Sequence, residues 1–182
     1  GIPSADLAKN LQLVREVLTT ELPPSTTSLI NEYLEEGLNQ LPVLPAELPT
    51  FICASEPYAD LAQKYLETLL RGERQIASRF ILEVVNSGIS IKDIYLHVFQ
   101  RSQYEIGRLW QMNKISVAQE HYCTAATQLI MSQLYPYIFA TEKQDRTLVA
   151  ACVGGDLHEL GVRMVADFFE MDGWDTFYLG AN

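Results

Sequence analysis

The feature that most constrains this fold is a change of period at residue 147. Upstream, apolar residues recur at helical spacing. Thr147-Leu148-Val149-Ala150-Ala151-Cys152-Val153 is instead an unbroken apolar run. A run of that length, bounded by glycine, reads as a strand buried on both faces. Gly154-Gly155-Asp156 follows as a loop. Leu160, Met164, Val165, Phe168 and Phe169 then return to helical spacing until Gly173. Thr176-Phe177-Tyr178-Leu179 reads as a second strand, with Phe168, Phe169, Trp174, Phe177 and Tyr178 packed around it. The segment is one β-α-β unit, whose crossover is expected to be right-handed. Two parallel strands and one helix do not make a stable sheet alone. The unit therefore reads as the start of a longer α/β domain.

The rest of the chain predicts helices. Leu7, Leu11, Val14 and Leu18 mark one, which Pro23-Pro24 stops. Leu29, Ile30, Tyr33, Leu34, Leu38 and Leu41 mark another. This pair reads either as a packed extension or as a dimerisation hairpin. Pro42, Pro45, Pro49 and Pro57 then exclude a continuing helix, so 42–57 reads as a linker. From Tyr58 to about Tyr135 the spacing predicts four helices with short loops, an antiparallel bundle. The first carries Leu61, Ala62, Tyr65, Leu66 and Leu69. The second carries Ile76, Phe80, Ile81 and Val84 and ends at Asn86-Ser87-Gly88. Ser90 caps the third, with Ile91, Ile94, Tyr95, Val98, Ile106 and Leu109 inside. Ser116-Val117-Ala118-Gln119 is a capping box for the fourth, which buries Ala125, Leu129, Ile130 and Leu134.

Charge narrows the function classes. The chain of 182 residues carries 23 acidic and 13 basic side chains, a formal net charge of −10. Gripping a nucleic-acid backbone or an anionic membrane surface needs clustered Lys and Arg, which are missing. No run approaches the roughly 20 apolar residues that span a bilayer. Gly1-Ile2-Pro3-Ser4 lacks the pattern of an export signal and reads as a processed start. Cys53, Cys123 and Cys152 are scattered, with no CxxC, and read as reduced and buried. The expected location is the cytoplasm.

Two constellations carry chemistry. The first is Asp156-Leu157-His158-Glu159-Leu160-Gly161, at D-x-H-x-x-G spacing, in the loop where doubly wound sheets bind ligands. A carboxylate beside an imidazole fixes its tautomer and raises its basicity as a metal ligand. Two other readings stand beside this one. Gly154-Gly155 could cradle a phosphate at a helix start, although the loop has neither G-x-G-x-x-G nor a Walker Lys. Asp156 and Glu159 could be only a helix cap. The second constellation is Trp110, then nine residues, then Glu120-His121. A Trp offers a flat apolar lid, and the Glu-His pair offers polar partners. Core packing, the helix dipole and a satisfied core histidine account equally for these three alone. His97, beside Val98 in mid-helix, reads as structural or surface.

Together these residues resemble a known family. Asp156, His158 and Gly161 resemble the signature of the cobalamin-binding domain of methionine synthase, corrinoid methyltransfer proteins, B12-dependent mutases and B12-based photoreceptors. The run from Glu105 through Trp110 to Ile115-Ser116-Val117-Ala118-Gln119-Glu120-His121 is similar to the adenosylcobalamin-binding light-sensing regulators. The resemblance covers about 58–182. It implies a flavodoxin-like sheet domain, begun here, under a helical cap. The expected fold class is thus α plus α/β: 1–57 a helical extension and Pro-rich linker, 58–142 a four-helix bundle, 143–182 the first part of the B12-binding domain. It implies that His158 is the lower cobalt ligand, that Asp156 holds it, and that Gly161 leaves room for the nucleotide tail, with Leu157 in the same loop. It implies that Trp110, Glu120 and His121 cover the upper ligand. One departure stands out. The family's best-known members carry, directly after the Trp, a His that takes the upper cobalt position; here that residue is Gln111. His121 is the candidate to serve instead.

The reading that follows is a sensory module holding adenosylcobalamin, with no catalytic residue of its own. It would signal through a protein partner, an output domain outside this chain or a homo-oligomer. The alternative is a corrinoid protein carrying a methyl group, as methylcobalamin, in a methyltransferase system.

Overall fold

The computed structural model describes residues 3–43 and 48–181. The chain divides into two compact units, Gly1–Pro49 and Thr50–Asn182. The first is a helical hairpin, α1 (Ser4–Glu21) and α2 (Pro24–Gln40), followed by a 3-10 turn at Leu41–Val43. Pro24 starts α2, as a proline at the first helical position should. Arg15 lies 3.6 Å from Glu35 across the hairpin. Thr27 is the single buried side chain among the described residues of these elements. The linker expected over 42–57 is only partly described, and Pro45 lies outside the described residues, as do Gly1, Ile2 and Asn182.

The second unit begins with an extended segment pinned to a buried carboxylate. Phe51 N–H and the Thr50 hydroxyl donate to Glu105 Oε2 at 2.9 and 3.1 Å. The helices then follow: α3 (Ala59–Leu70), α4 (Arg74–Asn86), α5 (Ile91–Asp93), α6 (Gln100–Gln111) and α7 (Val117–Gln133). Their ends obey local rules. Gly88 sits at φ +99° after α4, a conformation that favours glycine. Ser90 Oγ accepts from Asp93 N–H at 3.0 Å. Ser116 and Gln119 close the expected capping box at the start of α7.

One element departs from a plain helix. Ile94–Phe99 is a π-helical turn joining α5 to α6, so the third predicted helix is continuous but overwound by one residue per turn. Gln100 N–H bonds Tyr95 O, five residues back. The extra residue places Ile94, Tyr95, Val98 and Phe99 all in the core. Burying large apolar side chains of this kind stabilises the fold by about 1.5–3 kcal/mol each.

The β-α-β unit follows a short helix, α8 (Tyr135–Ile138). Strand β1 (Thr147–Ala151) pairs in parallel with β2 (Asp175–Gly180), with α9 (Glu159–Met171) between them in sequence. Thr147 stands opposite Asp175 and Ala150 opposite Tyr178, with an irregularity before Ala151. The expected two-sided burial of β1 does not hold. Burial alternates along both strands, and Val149, Phe177 and Leu179 are 58–62% exposed. Helix α9 covers one face only, and among the described residues nothing covers the other. Phe177 therefore leaves the expected aromatic cluster, while Phe169 and Trp174 meet edge to face at 5.0 Å.

Several inward positions also shift. In α4 the buried residue is Ala77, and Ile76 is exposed. In α7 the buried set is Cys123, Ala126, Thr127, Ile130 and Met131. Ala125 and Leu129 face outward, because the stripe that meets the bundle lies one residue over. Val165 of α9 is exposed. All three cysteines are free, and Cys53 is exposed rather than buried.

Helix α9 packs on the bundle with polar as well as apolar groups. Met164 joins the bundle core, with Leu160, Phe168 and Met171 at its edge. Asp167, 2% exposed, accepts from Tyr95 OH at 2.7 Å and Tyr135 OH at 2.9 Å. Tyr95→Phe leaves Asp167 with one of its two hydroxyl partners. The expected loss is about 1–2 kcal/mol, read as a lower midpoint in urea denaturation with unchanged slope.

Candidate cofactor site

The loop between β1 and α9 is built by local bonds. Gly155 has φ +86°, and Asp156 N–H bonds Val153 O at 2.9 Å, closing a tight turn. Asp156 Oδ1 then accepts twice from His158: from its backbone N–H at 2.9 Å and from Nδ1 at 2.8 Å. The Asp156 side chain caps no later residue of α9. It is an imidazole holder, and the helix-cap reading of Asp156 falls away. With Nδ1 occupied by its carboxylate, His158 keeps Nε2 as a free lone pair. Its side chain is 97% exposed. These two hydrogen bonds, the backbone one foremost, hold Asp156 below the usual carboxylate range. Leu157 is exposed, and a Cβ placed on Gly154, Gly155 or Gly161 would meet nothing within 4 Å. The loop surroundings are open.

Glu159 is not a capping-box residue either. Its Oε1 accepts from Gln128 Nε2 of α7 at 2.9 Å. Its Oε2 accepts from Tyr178 OH at 3.1 Å and Ala181 N–H at 3.3 Å. Arg163, one turn on, donates to Gln128 O at 3.1 Å and Ser132 Oγ at 2.7 Å. The start of α9, with His158 at its tip, is thereby fixed against α7 at Gln128 and Ser132. Sequence reasoning assigned no role to Gln128, Arg163 or Asp167. The available signal was the polar spacing Glu159, Arg163, Asp167 along one face of an otherwise apolar helix.

The second constellation lies on the bundle. Trp110 is in the last turn of α6, 46% exposed, and packs against no other aromatic ring among the described residues. The turn after it is held by Asn113 at φ +56°, with Asn113 N–H on Trp110 O at 2.9 Å. Glu120 and His121 are in the first turns of α7. Glu120 Oε2 bonds His121 Nδ1, and Glu120 Oε1 lies 3.0 Å from the Thr124 hydroxyl. Thr124 also lies 3.0 Å from Gln103 Oε1 of α6. His121 is 75% exposed in its side chain. The satisfied-core reading of His121 is excluded, as is a core Trp110. Gln111 is exposed.

The structure thus pairs Asp156 with His158 and Glu120 with His121. Their relation comes from α7. His121 and Gln128 are seven residues apart, about 10 Å along the axis and within about 20° of the same direction. Ala125 lies on that side and is exposed. Ahead of the point where α9 docks, α7 presents an open face. The two clefts of about 260 Å³ elsewhere in this unit contain none of these residues in their lining.

Residues 61–135 match the family model of the B12 binding domain. That segment is a B12 binding domain. It runs from α3 to the start of α8 and includes Trp110, Glu120 and His121. No curated protein matches the chain. Among solved structures, the monomethylamine corrinoid protein of Methanosarcina barkeri is similar in fold, at 18% identity and a TM-score of 0.60, over 69% of this chain and 59% of that one. The methanol:cobalamin methyltransferase complex of Methanosarcina barkeri matches at 17% identity and a TM-score of 0.43, over 91% of this chain and 59% of that one. A cobalamin-binding protein of Desulfitobacterium hafniense matches at 19% and 0.36, over 66% and 57%. The chain spans between 57% and 59% of the length of these proteins. The expected fold, a helical cap followed by the start of a Rossmann-like sheet, is the one observed. No helix among the described residues is long and apolar enough to cross a membrane.

The residues fit a corrinoid. A carboxylate-held imidazole with a free Nε2 stands on one side, beside an uncluttered glycine loop. An exposed Trp and a second carboxylate-imidazole pair stand on the bundle.

Glu159 is held below its usual range by Gln128, Tyr178 and Ala181. A depressed acid stabilises the folded state above its unfolded pKa of about 4.3 and loses that contribution as pH falls through the lower folded value. Acidification below about pH 4 is therefore expected to loosen the start of α9. The check is amide exchange of residues 159–163, which Glu159→Gln should make less dependent on pH in that range.

Proposed function

We propose that this chain is a cobalamin-holding sensory module. In this reading His158 is the lower cobalt ligand, Asp156 orients it, Gly161 leaves room for the displaced nucleotide tail, and Trp110, Glu120 and His121 cover the upper ligand. The observation that carries the reading is the Asp156–His158 pair at the end of β1, facing the open end of a B12 binding domain. The bound corrinoid supplies a cobalt–carbon bond that light cleaves. The chain's own residues orient an imidazole, shield the upper side with an indole and offer a polar pair to the upper group. The sensor reading rests on Trp110 and Glu120-His121, which a methyl carrier has no evident need for. Adenosylcobalamin is the cofactor proposed. Loss of the upper ligand would free the face that Trp110 and His121 cover, and a shift of the bundle would reach a partner or a second copy.

A second reading is a methyl-carrying corrinoid protein. What favours it is the fold likeness to a protein described as a monomethylamine corrinoid protein. The 75% exposure of His121 also leaves the upper side open enough for a methyl donor to approach.

One experiment separates them. The chain is loaded in the dark with adenosylcobalamin or methylcobalamin, passed over a sizing column, and rerun after illumination. The sensor reading expects tighter retention of the adenosyl form and a light-induced change in spectrum and elution volume. Equal retention of methylcobalamin with no change in size favours the carrier. A colourless protein peak sinks both. His158→Ala is expected to lose the spectral signature of imidazole ligation. Asp156→Ala is expected to weaken cobalamin retention about 10–100-fold, as loss of a carboxylate behind a metal-bound histidine does.

A further inference from the structure

We propose that His121 is a second axial ligand, closing on cobalt from the bundle side when no organic upper ligand is present. The inference rests on the cobalamin reading above and goes beyond it, because there His121 only touches the upper group.

The chain has three histidines. His97 is occupied: its Nδ1 lies 3.0 Å from Arg101 and its ring stands 5.8 Å from the Tyr58 ring. The other two share one arrangement. In both, a neighbouring carboxylate takes Nδ1 and leaves Nε2 free. A hydrogen-bonded Nδ1 with an open Nε2 is how a ligating histidine is prepared, since the carboxylate fixes the tautomer and raises the basicity of the free nitrogen. His158 has this arrangement on the sheet side and His121 on the bundle side.

Position supports the same role. His121 lies two helical turns before Gln128 and on the same side of α7. Gln128 is bonded to Glu159, the residue next to His158. The two imidazoles therefore flank one stretch of α7, whose intervening Ala125 is small and exposed. The Glu120 carboxylate is itself braced by Thr124, which Gln103 of α6 contacts. That bracing fixes the carboxylate that orients the His121 ring. Gln111, directly after Trp110, has an amide and no imidazole, so His121 is the imidazole available on this side.

The step is a ligand exchange. The bond from cobalt to a water oxygen breaks, the Nε2 lone pair of His121 forms the new bond, and the water leaves intact. No electron moves and the oxidation state of cobalt is unchanged.

The test uses the full chain loaded with hydroxocobalamin, compared with His121→Gly, His121→Gln and Glu120→Ala. Visible absorption and the count of axial nitrogens by X-ray absorption are the readouts. Wild type is expected to show two axial nitrogens and no spectral response to added imidazole. His121→Gly and His121→Gln are expected to show one, and imidazole should restore the wild-type spectrum of His121→Gly. Glu120→Ala is expected to weaken the second ligation about 10–100-fold. If wild type shows one axial nitrogen and responds to imidazole as His121→Gly does, the proposal is overturned while the cobalamin reading stands. If wild type retains no hydroxocobalamin, both are overturned. His121 is exposed, so unchanged circular dichroism of the variants is the folding control.

Discussion

Helix α9 is held to the bundle by charged groups that have left water, and the candidate site depends on that contact. Glu159, Arg163 and Asp167 recur every four residues, one per turn, on the side of α9 that meets α7, α8 and the π-helical turn. Each charge has hydrogen-bond partners on the bundle: Gln128 for Glu159, Gln128 and Ser132 for Arg163, Tyr95 and Tyr135 for Asp167. Burying a charge unpaired is costly, whereas burying it with its hydrogen bonds made is tolerable and directional. A purely apolar α9 would be free to slide on the bundle. This one has a register, and the register sets where His158 stands relative to the face of α7.

Burial of Asp167 shows the tension in that arrangement. Removal from water pushes its carboxyl up, and the two tyrosine hydroxyls and Arg163 pull it down, with burial prevailing. Glu170, three residues on, has the same burial cost but goes the other way. Lys143 and Thr176 hold its charge and outweigh the loss of water. One helix therefore carries two nearly buried carboxylates with opposite shifts, distinguished by whether a cation bonds directly to them.

How much was legible in sequence follows the distance over which each contact acts. Ser90, Gly88 and the Ser116-Gln119 box act within four residues, and they are where the pattern put them. The Asp156–His158 bond spans two residues, so its spacing revealed it. The Gln128–Glu159 bond spans 31 residues and joins two helices whose relative register no periodicity encodes. The outward turn of Ala125 and Leu129 was missed because one apolar stripe on α7 resembles another shifted by a residue. That shift has functional weight, since it leaves Ala125 on the open side with His121. The π-helical turn was missed because an inserted residue leaves the apolar pattern intact while changing which way Tyr95 points. The exposed outer face of β1 was missed because an apolar run states a preference for cover and not the presence of it.

The span of the Asp167 bonds has a further consequence, for the order of assembly. Within the bundle, each helix packs mainly on near neighbours in the chain, and such contacts close quickly. Asp167 meets Tyr95 across 72 residues and Tyr135 across 32. Contacts between distant parts of a chain form late, because the entropy of closing the loop is lost before the contact returns anything. The bundle is thus the template on which the β-α-β unit settles, and the two tyrosines are waiting in place when α9 arrives. His158, at the tip of the last element to dock, takes up its position only once the rest of the site exists.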